Sequence, residues 1–192
     1  MTAPLQDRKV AILVTDNFEQ VELTSPRQAL ERAGATVHIV SAKPGQVRGM
    51  HHDEKADSFP VDAIFEDADP TQYAGVVLPG GVFNSDAIRV EEGAQRFVQG
   101  IHEQGKPIAV ICHGAWLLVS AGLVDGRQLT SYPTLQDDIR NAGGEWVDEE
   151  VVLDGNFISS RKPDDLPAFN AKLVEALSGD EAITETSPAQ PT

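Results

Sequence analysis

The sequence predicts an α/β fold: a three-layer αβα sandwich built around a mostly parallel sheet. Short apolar runs rich in β-branched residues alternate along the chain with stretches of helical periodicity. These runs are almost free of polar residues, which is typical of strands covered on both faces, as in a parallel sheet. The predicted buried strands are 10–14, 37–40, 75–79 and 108–111.

Helices are predicted between the strands. Ser25 with Pro26 is a plausible start for the first helix, and Gly34 is a plausible stop. Later apolar stripes predict helices around 94–101, 115–121, 135–142 and 166–177. The polar segment 43–69 is expected to form a hairpin-like excursion outside the main sheet, and 151–159 to form a hairpin that turns at 154–156.

The chain length is that of one domain, because 192 residues can enclose a substantial core. We assign residues 1–177 to a single domain. Residues 178–192 are rich in Thr, Ser, Glu and Pro and have little to bury, so they are predicted to be a mobile C-terminal tail.

The composition argues against several classes of partner. Fifteen Lys and Arg residues against 30 Asp and Glu give a net charge of −15, which repels nucleic acid and anionic lipid. No apolar run approaches the length of a membrane span, and the first residues lack the pattern of a signal peptide. With a single cysteine and hence no internal disulfide, the protein is expected to be cytoplasmic, without nucleic-acid or membrane partners.

Cys112 is the strongest candidate for a reactive residue. It follows the predicted strand 108–111 and precedes His113, Gly114 and a predicted helix, an arrangement typical of a nucleophile elbow. A helix N-terminus next to the sulfur favours the thiolate and lowers the thiol pKa. The alternative is a small buried core cysteine, but such a residue does not need His and Gly directly after an unbroken apolar strand.

Two other groups follow predicted strands and are expected at the same edge of the sheet, where ligands bind in such folds. Glu19 is either a solvated loop charge or a buried acid with a raised pKa that donates a hydrogen bond to the sulfur. Gly80 and Gly81 are either a simple turn or a backbone that brings N–H groups close to an oxyanion.

The histidines do not indicate a metal centre. His51 and His52 lie beside two acidic residues, but neighbours on an extended segment point to opposite sides. Since no histidine follows His113, a triad with a distant downstream histidine is excluded, and any base must be His113 or a group from another chain. We expect neither a metal nor a cofactor.

Four ordered motifs resemble those of the ThiJ/PfpI family, which has the class I glutamine-amidotransferase-like variant of the flavodoxin-like sandwich. The resemblance extends from about Lys9 to Leu177 and is closest to PfpI-like stress proteins, described as cysteine peptidases, glyoxalase-III-type enzymes and deglycases. The matching segments are 18–22, 78–81, 109–114 and 143–147.

The resemblance implies specific roles. Cys112 is the nucleophile, Glu19 the acid that hydrogen-bonds it, and His113 the elbow histidine. It further implies a homodimer or larger assembly in which an acid from a neighbouring subunit orients His113, with Asp86 as the nearest candidate. Two departures weigh against this triad: segment 82–85 is one residue longer than usual, and Ala115–Trp116 replaces the common Pro-Gln.

Three functions remain open, and all use Cys112. The favoured one is an enzyme that acts on methylglyoxal, glyoxal or early glycation adducts, with small aldehydes or glycated proteins as partners. The second is a redox-sensing or protective protein in which Cys112 is oxidised without turnover. The third is an intracellular cysteine peptidase, which also needs an oriented histidine. For the enzyme, Gly80, Gly81 and Gly114 are the candidate oxyanion and substrate-binding positions.

Overall fold

The computed structural model describes residues 3–179. The four predicted buried strands all lie in one central sheet, and further strands form two small sheets. The strands are β1 (Lys9–Leu13), β2 (Phe18–Glu19), β3 (Thr36–Ser41), β4 (Gln46–His51), β5 (Glu54–Pro60), β6 (Ala63–Ile64), β7 (Gly75–Leu78), β8 (Ile108–Ile111), β9 (Gln128–Leu129), β10 (Glu145–Trp146), β11 (Val151–Asp154) and β12 (Phe157–Ser160). The helices are α1 (Gln20–Arg32), α2 (Val82–Ile88), α3 (Glu92–Glu103), α4 (Ala115–Ser120), α5 (Gln136–Asn141) and α6 (Leu166–Ser178).

The central sheet has the order β11-β12-β8-β7-β1-β3-β6. All neighbouring strands in it are parallel except β11 and β12, which form the predicted antiparallel hairpin. The direction of chain winding reverses between β1 and β7, and ligands bind beyond the carboxyl ends of the strands at such a reversal. The fold therefore places the end of β8, where Cys112 lies, beside this crevice.

Side chains alternate between two apolar cores, one on each face of the sheet. Val10 and Ile12 pack into the core that contains α1 and α6, whereas Ala11 and Leu13 pack into the core that contains α2 to α5. Each fully buried aliphatic side chain stabilises the fold by roughly 1.5–3 kcal/mol relative to exposure. The two cores make this the three-layer sandwich that the sequence predicts.

The polar segment 43–69 forms the predicted excursion. β4 and β5 are antiparallel, and β2 pairs with β4 to complete a small separate sheet. This pairing sets Phe18 opposite Gly49 and Glu19 opposite Met50, so it fixes the loop after β1 over the carboxyl edge of the main sheet.

The first helix begins earlier than predicted. α1 starts at Gln20 rather than at Ser25, and Pro26 lies inside it. Tertiary contacts override the local proline signal here: the Gln20 amide donates to Asp57 and accepts from the Asp57 backbone N–H, at 2.8 Å each. This difference adds a first turn that contains Glu22.

The C-terminal helix α6 ends at Ser178, one residue beyond the predicted domain boundary. The predicted mobile tail, 178–192, otherwise falls almost entirely outside the described residues, and its character stays a prediction. None of the helices within residues 3–179 has the length and apolar character needed to cross a membrane.

The packing of α6 predicts a large effect for one core substitution. Phe169 in α6 is fully buried, so Phe169→Ala is expected to lower the free energy of unfolding by about 3–5 kcal/mol in urea titrations. Leu153 on β11 is 40% exposed, and Leu153→Ala is the control, expected to change stability by less than about 0.5 kcal/mol. Equal effects would show that α6 does not belong to the core.

Candidate active site

Cys112 forms the predicted elbow at the end of β8. Its backbone φ is 62°, a left-handed conformation that is unfavourable for a residue with a side chain. A short 3-10 turn (Cys112–Gly114) follows and leads directly into α4. The thiol is only 8% exposed.

Three glycines allow the backbone to pack closely around the elbow. A Cβ at Gly114 would lie 2.5 Å from the Leu78 carbonyl oxygen, and one at Gly81 would lie 2.6 Å from the Glu19 nitrogen. Gly81 also has a φ of 84°. The structure thus brings the predicted Gly80, Gly81 and Gly114 together beside Cys112, at positions where a larger residue does not fit.

The acidic side chain that reaches the thiol is Glu22, not Glu19. Glu22 is fully buried, and its Oε2 accepts a 2.6 Å hydrogen bond from the Gly80 backbone N–H. It interacts directly with the Cys112 thiol, and the two side chains change each other's pKa. The prediction that Glu19 makes this contact is wrong because α1 begins at Gln20 and turns Glu22 toward the sheet.

Glu19 lies in the same cavity but has other partners. Its Oε2 accepts from the His52 backbone N–H at 3.2 Å and is 3.9 Å from His52 Nδ1. The Glu19 side chain is 13% exposed. Glu19 is therefore a cavity-lining carboxylate, and its predicted catalytic role stays a prediction.

Burial controls the protonation of Glu22. Loss of solvation raises its pKa to about 8, although the Gly80 N–H opposes this change. Glu22 therefore keeps a proton at neutral pH. Oε2 accepts from Gly80, and Oε1 has no hydrogen-bond partner among the described residues.

The same environment acts on Cys112. Burial raises the pKa of the thiol, and the nearby Glu22 carboxyl raises it further; the backbone N–H groups of His113 and Gly81 lower it. The elbow supplies the expected N–H groups, but they are outweighed by burial and by Glu22. The sequence-based expectation of a pKa lowered by the helix N-terminus omitted these two effects.

His113 lies next to the sulfur. Its Nδ1 is 3.2 Å from Cys112 Sγ, and its ring stacks on Tyr132 with centroids 4.6 Å apart. Burial lowers the pKa of His113, so the ring is neutral at pH 7. Trp116 contacts the same ring edge-on at 5.4 Å. These aromatic contacts hold the imidazole in place.

Asp86 does not reach His113 within the described chain. It is exposed on α2 and does not line the reactive cavity. Its predicted role across a subunit interface stays a prediction.

The elbow opens into a cavity of about 550 Å³ at the carboxyl edge of the sheet. Its walls come from the loop after β1, from the β4–β5 turn, from α2 and from the loop after β12. Within residues 3–179, no three His, Cys, Asp or Glu side chains are arranged to hold a metal ion. The reactive groups of the cavity are Cys112, His113, Glu22 and Glu19.

The raised pKa of Glu22 predicts a pH-dependent stability. The folded-state pKa of about 8 exceeds the ordinary value of 4.5, so the stabilising contribution is complete below pH 4.5 and is lost as the pH rises toward 8. Relative to Glu22→Gln, the wild type should lose stability across this window, with a slope of at most about 1.4 kcal/mol per pH unit.

Urea unfolding at several pH values measures this difference. Glu103→Gln, at an exposed position of α3, is the matched control and should follow the wild type. If the curves of Glu22→Gln and wild type are parallel from pH 5 to pH 8, Glu22 does not bind its proton in the way described.

The chain matches the model of the DJ-1/PfpI family over residues 8–176. It is 41% identical over 169 residues to the deglycase TK1284 of Thermococcus kodakarensis (88% of this chain, 99% of the relative). It is 37% identical over 172 residues to the protein/nucleic acid deglycase 2 of Escherichia coli (88% and 98%). It is 36% identical over 170 residues to the putative cysteine protease YraA of Bacillus subtilis (88% and 98%).

Solved structures agree with these relatives. The crystal structure of Drosophila melanogaster DJ-1beta has a TM-score of 0.81 to this chain and 28% identity, and the match covers 90% of this chain and 91% of that one. The family match covers most of the chain, including the elbow at Cys112, the glycines beside it and the helix that carries Glu22. The chain therefore belongs to the DJ-1/PfpI family.

Proposed function

We propose that this protein is an enzyme that removes reactive carbonyls, acting on methylglyoxal, glyoxal or early glycation adducts through a hemithioacetal at Cys112. The observation that carries the proposal is the pairing of a thiol on a strained elbow with a buried Glu22 that holds a proton at neutral pH. The names of the deglycase relatives support the same reading.

The first step is attack of the Cys112 sulfur on the aldehyde carbon. His113 Nδ1, 3.2 Å from the sulfur, accepts the thiol proton as the carbon–sulfur bond forms. The carbonyl electrons move to oxygen, where the N–H groups of Gly81 and His113 that already face the sulfur stabilise the negative charge. Each such donor is typically worth about 3 kcal/mol. Glu22 then protonates the oxygen.

The second step moves a proton from carbon to carbon. After Glu22 has given up its proton, its carboxylate takes the hydrogen of the former aldehyde carbon as a proton and returns it to the former ketone carbon, while the hydroxyl proton of the first carbon moves to the ketone oxygen. The first carbon is oxidised to a thioester and the second is reduced to an alcohol, so no external electron acceptor is required. One water hydrolyses the thioester, releasing lactate and restoring the Cys112 thiol.

An adduct on an amine enters the same sequence. The sulfur displaces the amine from the carbinol carbon, so that a carbon–nitrogen bond breaks as the carbon–sulfur bond forms. The amine leaves with a proton supplied by Glu22 or His113. The remaining steps are those of free methylglyoxal.

The alternatives use the same thiol. In a redox-sensing or protective protein, peroxide oxidises Cys112 to the sulfenic acid and no turnover occurs. A peptidase is favoured by the name of the Bacillus relative, but His113 has no acidic partner among residues 3–179. We place the protein in the cytoplasm, where a reducing environment keeps its single cysteine free.

Self-association is also part of this proposal. Val82, Phe83 and Val90, in and just after α2, are 50%, 69% and 71% exposed, which is unusual for large apolar side chains. If a homodimer or larger assembly covers these side chains, Asp86, which lies in the same helix, is close to the subunit interface.

Activity measurements with matched variants test the carbonyl enzyme. Cys112→Ala should abolish lactate formation from methylglyoxal, and Glu22→Gln should lower kcat by about 100-fold because it removes the acid–base group. Glu19→Gln, in the same cavity, should have a clearly smaller effect, because the Glu19 carboxylate accepts from the His52 backbone N–H. Tris and thiols are excluded, since they scavenge the aldehyde. If the wild type makes no lactate above the Cys112→Ala background while peroxide oxidises Cys112, the redox function replaces the enzyme.

Light scattering tests self-association. The wild type should show particles at least twice the chain mass of 20.7 kDa. Val90→Asp should weaken the assembly, whereas Leu153→Asp, at a 40% exposed position on β11, should leave it intact. A monomer at all concentrations would disprove this part of the proposal.

A further inference from the structure

The cavity around Cys112 has more acidic than basic side chains in its walls. Among the described residues, its lining includes four acidic side chains and one lysine: Glu19, Glu22, Asp53, Asp164 and Lys162. Glu22 is neutral at pH 7 because burial raises its pKa to about 8. Three carboxylates therefore face one ammonium group.

The lysine is paired with one of these carboxylates. Lys162 Nζ lies 3.4 Å from Asp164 Oδ2, and the segment that bears both is fixed by Arg161, whose Nε donates to Asp165 Oδ2 at 2.9 Å. Glu19 and Asp53 remain without a lysine or arginine partner among residues 3–179. The net charge of the cavity is thus negative.

The histidines do not reverse this balance. His113 is neutral because burial lowers its pKa. His52 is 87% exposed, and water screens its interaction with Glu19. The chain as a whole carries a charge of −15, which adds a field of the same sign.

The acidic side chain next to the thiol has a polar atom without a hydrogen-bond partner. Glu22 is fully buried, and its Oε1 has no hydrogen-bond partner in the described part of the chain. This atom lies at the reacting end, whereas Asp53 and the Lys162–Asp164 pair lie on exposed segments of the wall. The cavity therefore has a neutral reacting end and a negative outer wall.

We propose that the cavity selects glycation adducts whose carrier is cationic, such as arginine and lysine side chains, over the same adducts carried by phosphate-bearing nucleotides. Glu19 and Asp53 attract the cationic carrier, and Lys162 opposes them. The inference rests on the proposed function, because it names the substrate class of that site. The Escherichia coli relative is named for both protein and nucleic acid substrates; in this chain the charges favour the protein carrier.

The effect of carrier charge is measured with three methylglyoxal adducts of different charge. They are the adducts of Nα-acetylarginine methylamide, guanosine and guanosine 5′-monophosphate. The two guanine adducts share one reacting group and differ only in the phosphate. At low ionic strength, kcat/KM should fall in the order cation, neutral, anion, with guanosine preferred over its monophosphate by about tenfold. Added salt should reduce this ratio.

Variants of opposite sign sharpen the test. Asp53→Asn should lower the ratio of kcat/KM for the guanosine adduct to kcat/KM for the monophosphate adduct about threefold. Lys162→Met should raise this ratio by a similar factor. Asp67→Asn removes the same charge at an exposed position outside the cavity and is the control, expected to leave the ratio unchanged.

Alkylation of Cys112 gives a second readout that does not require turnover. Iodoacetamide is neutral and iodoacetate is an anion of similar size. Relative to free cysteine, the wild type should react with iodoacetate at least about fivefold more slowly than with iodoacetamide. Asp53→Asn should reduce this discrimination, and Lys162→Met should increase it.

The outcomes distinguish the two proposals. If no adduct and no methylglyoxal is turned over but the alkylation rates follow the expected order, the proposed function fails and the charge selection of the cavity stands as a property of the thiol site. If turnover occurs with equal kcat/KM for guanosine and its monophosphate, and the two alkylation rates match those of free cysteine, charge selection is disproved.

Discussion

The hydrogen bond from the Gly80 N–H to Glu22 Oε2 holds the site together. At 2.6 Å and fully buried, it joins the end of β7 to the first turn of α1, directly beneath the elbow. A Cβ at position 80 would lie 2.6 Å from that oxygen and 2.7 Å from the Cβ of Cys112. The absence of a side chain at Gly80 is what lets a carboxyl group from one helix and a thiol from a neighbouring strand share one small volume. Because this donor is a backbone N–H, no change of side-chain rotamer at position 80 can remove it.

Much of the architecture could be predicted because the strands and turns follow from local sequence patterns, and tertiary contacts do not change them. Continuous apolar runs indicate strands buried on both faces, and the run before Cys112 ends where a polar, glycine-containing turn must begin. The elbow, its glycines and the β11–β12 hairpin follow from such local rules. Asp86 could not be placed, since its predicted role depends on a second chain.

Glu22 was missed for a physical reason. The proline at position 26 suggested a helix start at Ser25, and without the preceding turn Glu22 had no predicted direction. The signal was present nonetheless, because Glu22, Pro26 and Leu30 recur every four residues and all are buried. A charged residue in the apolar stripe of a helix is costly unless it is neutral or paired. The sequence could therefore have flagged Glu22 as a titrating group, but the effect of burial on its pKa needed the structure.

The left-handed backbone at Cys112 sets a conflict between folding and chemistry. A residue with a side chain in this conformation costs roughly 1–2 kcal/mol relative to glycine, which adopts it freely. For stability alone, glycine would be the better residue at position 112, but glycine there removes the thiol. The backbone at Cys112 therefore lowers stability at the position that supplies the reactive sulfur, and only glycine would relieve this strain, with loss of the thiol.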